Sequence, residues 1–527
     1  MLVSDAGAVP LPLLLAGSLS VAQTKEVLTG MSIKATPLDP PGDAAEGTAE
    51  ELARSRSSLF RAVWRWHFYA GLLSIPIIVL LCVTGIVYLF KPQLNSLLYG
   101  RLRTVAPAAQ TVTYAQQLDA VEREYPGATV SNVYTPHIPE RSTQFDLITA
   151  QGQTLSVFVN PYSGQVLGQR DNGKDPASIA LALHGSLMTG SWLGSPTWGD
   201  RLIEVVAAWS IVLVITGVYL WWPRGRQRRS LRGVLVPRLR TRSRRIPWRD
   251  VHAVTGVMFS FVTLFFLITG MAWTGFWGPR FTQVADRLGA SYPPGTWDGA
   301  TSTTVGELLP NGKSPWAMGN LPVAASGQHA GHQHGNGALS WEPRDGAPLD
   351  AVVARAQQLG FQPGIAITMP EDETGSYTIG FFPDAEPQPN RSAVDERIAY
   401  IDQYTAEPLG DYRYGQFGPL AKATDFGISL HEGREWGLVN QLLALAGALA
   451  ILASATTAIV MWRKRRPTGL GAPRKEPDRR LGIGVVVITT VLGALFPLLG
   501  LTLLAVLAFD FLVVRRVPRL ARAFGAS

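Results

Sequence analysis

One cysteine, Cys82, stands in 527 residues. It can build no intramolecular disulfide, Cys-ligated zinc site, iron–sulfur cluster or CxxCH haem attachment, so any metal here must rest on His or carboxylate. Charge is scarce as well: 16% of residues are Asp, Glu, Lys or Arg, against about 25% in soluble proteins. Also missing are a GxGxxG between strand and helix, a Walker loop, a Ser/His/Asp arrangement and an HExxH motif. Flavin or nicotinamide domains, ATP-driven transport and proteolysis therefore have no support. Acids fall short of bases, 39 Asp plus Glu against 47 Lys plus Arg, for a formal charge of +8. A nucleic-acid binder of that sign would be polar throughout. Here the mean hydropathy is +0.12 and tryptophans lie inside uncharged stretches, so no nucleic-acid partner is expected and a membrane protein is.

Uncharged runs of about 20 residues, enough to cross a ~30 Å hydrocarbon core, occur at Phe68 to Phe90, Val205 to Pro223, Ala253 to Pro279 and Trp436 to Trp462. Leu481 to Phe509 is too long for one crossing and is interrupted by Pro497 and Gly500, which predicts a tight hairpin of two short spans. Basic residues near span ends mark the cytoplasmic face. Arg54, Arg56, Arg61 and Arg65 precede the first span, residues 223–249 hold eleven Arg and no acid, and residues 463–480 and Arg515, Arg516, Arg519 and Arg522 are basic again. An α-helical membrane bundle of about six spans with both termini cytoplasmic satisfies every loop. The expected division is a tail at 1–58, spans at 59–90, 201–223, 250–279 and 436–462, outer segments at 91–200 and 280–435, basic inner loops at 224–249 and 463–480, a hairpin at 481–514 and a tail at 515–527. Leu11 to Ala22 has the length of a signal h-region, but Asp5 precedes it with no Lys or Arg, against a cleaved signal. The Pro/Gly/Ala/Glu-rich stretch after Met31 reads as a disordered cytoplasmic tail, with Met31 an alternative start.

The chain is written twice. Trp64-Arg65-Trp66-His67 leads to Gly71 and Thr84-Gly85; Trp248-Arg249-Asp250-Val251-His252 leads to Gly256 and Thr269-Gly270, at the same offsets of four and seventeen from the histidine. Leu183-His184 leads to Thr216 and Trp222, and Leu430-His431 to Thr456 and Trp462. The outer segments share Asn160-Pro-Tyr162-Ser163-Gly164-Gln-Val-Leu167-Gly168 and Asp402-Gln-Tyr404-Thr405-Ala406-Glu-Pro-Leu409-Gly410. Both copies enter the membrane in the same direction, so a pseudo-two-fold axis along its normal is expected, pairing His67 with His252 at the inner end and His184 with His431 at the outer end. Each outer segment reads as an α+β module. The first has a helix over Tyr114 to Tyr125 and strands over Thr129 to Tyr134, Gln144 to Thr149 and Thr154 to Val159; the second has a helix near Leu349 to Leu359 and strands near Ile365 to Thr368, Ser376 to Phe381 and Arg397 to Ile401.

A single histidine at a span end can be a solvated interfacial residue. Four of the eight histidines at symmetric positions, two at each membrane face, fit another role: imidazole pairs from facing helices are the axial ligands of bis-His haem. Two haem b groups are expected on His67, His252, His184 and His431, although both ligands of one haem could also come from within one repeat. Gly71, Gly256, Gly185 and Gly433 leave room for a macrocycle, and Arg65, Arg249, Arg201 and Arg434 are candidate propionate partners. Two haems across a membrane form a wire ending at the outer modules.

These residues, with Leu183-His184-Gly185 before the second span and Thr216-Gly217-Val218-Tyr219-Leu220-Trp221-Trp222-Pro223 at its end, resemble the PepSY-associated transmembrane family, which includes iron-regulated membrane proteins and ferrisiderophore reductases of Gram-negative bacteria. The resemblance runs from about Ser58 to Arg522. It implies an internally duplicated bundle with two α+β PepSY-like periplasmic domains in the bacterial inner membrane, acting as a b-type cytochrome that reduces a ferric siderophore or other ferric chelate and releases Fe(II). Asp402 and Ala406 depart from the Asn and Gly of the first module, which makes the second more scaffold than binding surface.

His329, His332 and His334 lie in a Gly-rich outer segment; their spacing suits a loose Cu or Zn site, and a disordered loop is the competing reading. With no room for a cofactor domain inside, electrons must come from a membrane quinol or a separate cytoplasmic reductase, while the eleven-Arg loop meets anionic lipid or that donor. Two readings stand against a reductase: a non-redox membrane protein whose modules bind or regulate a partner protein, and a haem or metal permease.

Overall fold

A computed structural model describes residues 43–223, 232–293, 296, 300–308, 316–326, 346–381, 392–465, 487 and 490–524. Contacts divide the chain into Met1–Arg54 and Ser55–Ser527, and every element from Leu59 onward lies in the second unit.

Among the described residues four helices are long and apolar enough to cross a membrane: Leu59–Leu89, Thr197–Trp221, Leu438–Arg465 and Pro497–Val514. Such helices carry every backbone hydrogen bond internally, which hydrocarbon requires. A fifth candidate is the pair Ile246–Met258 and Ser260–Met271, bent by 56° at Phe259. The expected span from Ala253 to Pro279 is helical only as far as Met271 and is bent within. It breaks at Phe259, where Ser260 Oγ donates to Val257 O at 2.8 Å and competes with the helical ladder. Helix ends at Met271, because the Asp200 and Glu204 carboxylates take the N–H groups of Gly275, Phe276 and Trp277 and start a separate helix, Trp277–Arg287. Most of the first arm of the expected C-terminal hairpin lies outside the described residues. Its turn is visible: the helix ending at Leu495 gives way at Phe496 to Pro497–Phe509, and a Cβ at Gly493 would sit 3.1 Å from the Gly500 Cα. Only glycine allows that approach.

Beyond the helix ends lies an eight-stranded antiparallel sheet. Strands β1 (Thr129–Tyr134), β2 (Thr143–Ile148), β3 (Thr154–Val159) and β4 (Val166–Asp171) come from the first outer segment. After the small pair β5 (Ala300–Thr304) and β6 (Pro322–Ala324), the second segment supplies β7 (Ala366–Thr368), β8 (Ser376–Gly380), β9 (Arg397–Asp402) and β10 (Pro408–Arg413). The order is β10-β9-β8-β7-β1-β2-β3-β4, running outward from a joint at which Asn132, Val133 and Tyr134 pair with Thr368, Ile367 and Ala366. The two modules therefore share one sheet. Its first face buries Val133, Phe145, Leu147, Val157, Ile367 and Ile379 under the helices Tyr114–Glu124 and Leu349–Gln358, each fully buried side chain contributing about 1.5–3 kcal/mol. The second face sets Tyr134, Ile398 and Tyr400 against Trp316 and Leu321.

The repeated Asn160 and Asp402 signatures are the turns β3–β4 and β9–β10. Asn160 Oδ1 accepts the Tyr162 N–H and Asp402 Oδ1 accepts those of Tyr404 and Thr405, all at 2.9 Å. Asp replaces Asn without loss because the side chain only accepts. Gly164 has φ 73° and Ala406, at the matching position, φ 57°; an Ala there carries roughly 1–2 kcal/mol of left-handed strain.

Candidate functional site

Four histidines converge in two pairs. His67 lies on the first span and His252 on the first half of the bent span; their ring centroids are 6.3 Å apart with planes at 75°. His184, in the last turn of helix Pro176–Ser186, faces His431, the last residue of helix Pro419–His431, at 6.5 Å and 84°. The sequence repeat sets the same residues together. The His184–His431 pair lies at the sheet end of the helices and the other at the far end. Thr84, which touches His184, is seventeen residues from His67 on one helix, about 25 Å at 1.5 Å per residue.

Local backbone fixes each ring. Helix Pro176–Ser186 stops at Leu187 and Met188, both left-handed at φ 51° and 52°. Strain of that kind in non-glycine residues persists where surrounding structure over-determines it. Helix Pro419–His431 ends before Gly433, whose φ is 73° and whose missing side chain lets Leu89 approach. Gly433 thus serves the turn and the packing, not the macrocycle space expected of it.

Facing each imidazole is an oxygen on another helix. His67 Nδ1 lies 3.0 Å from Thr216 Oγ1, His184 Nδ1 3.1 Å from Thr84 Oγ1 and His431 Nδ1 2.8 Å from Thr269 Oγ1. His252 Nδ1 is 3.0 Å from the main-chain oxygen of Ser454, with Thr457 Oγ1 farther at 3.5 Å. After each of the first three threonines comes a glycine against the ring: a Cβ at Gly85 would lie 3.2 Å from His184 Cε1, at Gly217 3.2 Å from His67 Cε1 and at Gly270 3.7 Å from His431 Cε1. Sequence reasoning held Thr84-Gly85, Thr216 and Thr269-Gly270 only as repeat markers. The sequence carries the signal, a Thr-Gly pair seventeen residues after His67 and again after His252, but its purpose exists only where the helices are in contact. In the fourth case the repeat points to Thr456 and the structure to Ser454 and Thr457 instead.

A ring nitrogen binds a transition metal at about 2.0 Å and lies about 1.1 Å from its ring centroid, so imidazoles opposed across one iron would hold their centroids about 6.2 Å apart. Both pairs meet that distance, and in each ring Nδ1 is the nitrogen that faces an oxygen on a neighbouring helix. The proposed propionate partners fare less well. Arg201 is bonded to Asp200 at 3.0 Å, Arg249 to Asp250 at 2.8 Å and Arg434 to Glu432 at 2.7 Å, while Arg65 lies over the Tyr69 ring.

Just outside the sheet-end pair, Asp425, Glu396 and Glu435 are buried around Arg434. Burial raises the Asp425 carboxyl to about 7, against the opposing bond from Ala317 N–H and the Arg434 charge. Burial, with Asp425, Glu432 and Glu435 as negative neighbours, raises Glu396 well above the carboxylate range in spite of Arg434. Among the described residues no group of three or more His, Cys, Asp and Glu is arranged to hold a metal ion; His329, His332 and His334 lie outside the described residues.

The model of the PepSY-associated TM region matches residues 64–465, which takes in all four histidines and both sheet modules. No curated protein matches the chain. The match spans most of the sequence, and the chain is a member of the PepSY-associated transmembrane family.

Proposed function

We propose that the protein is a di-haem b-type cytochrome of the bacterial inner membrane that carries electrons from the cytoplasmic side to a ferric siderophore or other ferric chelate in the periplasm, as a ferric-chelate reductase. The observation that carries this reading is the pair of opposed imidazole sets, 6.3 Å and 6.5 Å between centroids, each ring held through Nδ1 from a neighbouring helix. In this reading His67 and His252 hold one haem and His184 and His431 the other, and bound haem supplies reversible one-electron transfer.

The chain's own residues do the rest. Thr216, Thr84, Thr269 and the Ser454 carbonyl orient the rings. Phe266, 4.8 Å from the His431 ring, and the apolar helix faces keep water from the imidazoles. The joined sheet offers a surface beside the sheet-end pair on which a chelate can be held while Fe(III) gains one electron and leaves as Fe(II), which such chelators hold weakly. Six spans, an internally duplicated origin and cytoplasmic termini belong to the same reading, supported by the outward-running strand order and the basic residues at the far ends of the helices. Electrons are supplied by a membrane quinol or a cytoplasmic reductase, and the Arg-rich stretch before His252 binds anionic lipid headgroups.

A reduced-minus-oxidised optical spectrum of the detergent-purified protein, with haem counted as the pyridine haemochrome, tests the proposal. A b-type α band and about two haems per chain are expected, falling to one on His67→Ala or His184→Ala. A colourless protein from haem-replete cells would sink it.

A further inference from the structure

The proton inventory of the oxygens facing the histidines decides which ring nitrogen is protonated. A threonine hydroxyl has one proton. Thr216 Oγ1 is 2.6 Å from Val212 O, Thr84 Oγ1 2.9 Å from Leu80 O and Thr269 Oγ1 2.8 Å from Phe265 O. Each of those carbonyls, four residues back on the same helix, can only accept, so the hydroxyl proton goes there and an Oγ1 lone pair is turned to the imidazole. Nδ1 must then be the donor. His252 reaches the same state chiefly through the Ser454 carbonyl, which can only accept and lies nearest at 3.0 Å, ahead of the Ser454 and Thr457 hydroxyls at 3.3 and 3.5 Å. All four neutral rings therefore carry the proton on Nδ1 and the lone pair on Nε2.

We infer that Thr84, Thr216 and Thr269 are positioning residues that fix the tautomers of His184, His67 and His431 and set how strongly each Nε2 donates to its iron. The inference rests on the haem reading above. Drawing an Nδ1 proton toward an acceptor raises the basicity of Nε2, which favours oxidised iron and tightens the bond. The Thr-Gly pairing is the steric half of the same device: Thr sets the ring's proton, and Gly leaves room for the ring edge beside it.

The test uses the full-length haem-loaded protein. Potentiometric titration of the α band and the rate of haem transfer to apomyoglobin are measured for Thr84→Val, Thr269→Val and Thr216→Val. Val at 84 or 269 should raise the midpoint potential of the sheet-end iron and loosen its haem by about 10–100-fold, leaving the far pair unchanged; Val at 216 should do the converse. Ser at each position should restore the wild-type values, because it keeps both the oxygen and its proton. Thr263→Val is the control, since that hydroxyl donates to Phe259 O at 2.8 Å on the same bent span without touching an imidazole. If a Val variant does not reach the membrane, Ala at that position removes the oxygen without adding a methyl against the ring. Unchanged potentials and haem loss in haem-loaded Val or Ala variants overturn the inference alone. A wild-type protein that carries no haem overturns the reading beneath it.

Discussion

A buried aspartate tells against its own fold when it ionises. Asp425 lies on the helix that ends in His431, and burial holds its carboxyl up to about 7, well above the ~3.9 of an exposed aspartate. The native state therefore keeps a proton that the unfolded chain releases. Stability from this group is fully present below about pH 4 and is lost as pH rises through about 7. Glu396, also raised by burial and facing Asp425, Glu432, Glu435 and Arg434, adds to the stability that is lost as pH rises. Asp425→Asn keeps an Oδ1 to accept the Ala317 N–H now bonded at 3.0 Å but cannot ionise. Its melting temperature should exceed that of wild type by most at pH 8, by less at pH 5, and converge with it only near pH 4, as read by thermal unfolding in detergent. A wild-type advantage over the variant that grows from pH 5 to pH 8 would show that the carboxylate form is the one the fold prefers.

Between elements, small residues decide how near the helices come. A Cβ at Gly427 would lie 2.9 Å from Thr269 Cγ2, so the helix bearing His431 rests directly on the half-span bearing the threonine that bonds it. Gly427→Ala should push the two apart and break the Thr269–His431 bond; on the di-haem reading, haem counted by pyridine haemochrome should fall from about two toward one per chain, with the far pair kept. Equal loss at both pairs would mean the glycine matters to the whole bundle instead. Much of this architecture was legible beforehand. Strands β1 and β3 match their expected bounds, and the helices at Tyr114 and Leu349 and strands β2, β7, β8 and β9 fall within a residue or so, because alternation and helical spacing are local signals. Strands β4 and β10 were missed. Val166–Asp171 and Pro408–Arg413 are half-exposed edge strands with little apolar alternation. Nor does any Pro or Gly announce the break at Phe259, and the β1–β7 joint pairs residues more than two hundred apart, which periodicity cannot reveal. The histidine pairing was readable because duplication put the same word at the same offset twice; the Thr-Gly contacts were not, because they exist only between helices.

Across the whole molecule, charge is sorted by end. The sheet lies beyond one set of helix ends; at the other set stand Arg238, Arg240, Arg242, Arg244 and Arg245 before the bent span and Arg463, Lys464 and Arg465 closing the fourth. These segments touch: Lys464 Nζ donates to Arg244 O at 3.3 Å and lies over Trp248, and Arg465 stacks on Trp64. Positively charged short loops are retained in the cytoplasm during insertion, so the basic end should face inward and the sheet outward. That orientation also suits the proposed reductase, in which the sheet would hold a chelate that has not crossed the inner membrane. Single cysteines report it cleanly, because the native Cys82 is buried. Glu373→Cys places a thiol on the exposed β7–β8 loop and Arg242→Cys places one in the basic loop, both at exposed positions. In cells with a permeabilised outer membrane, an impermeant maleimide should label position 373 at once and position 242 only after the inner membrane is broken. The reverse pattern would put the sheet in the cytoplasm and, with it, remove the periplasmic chelate from reach of the His184–His431 end.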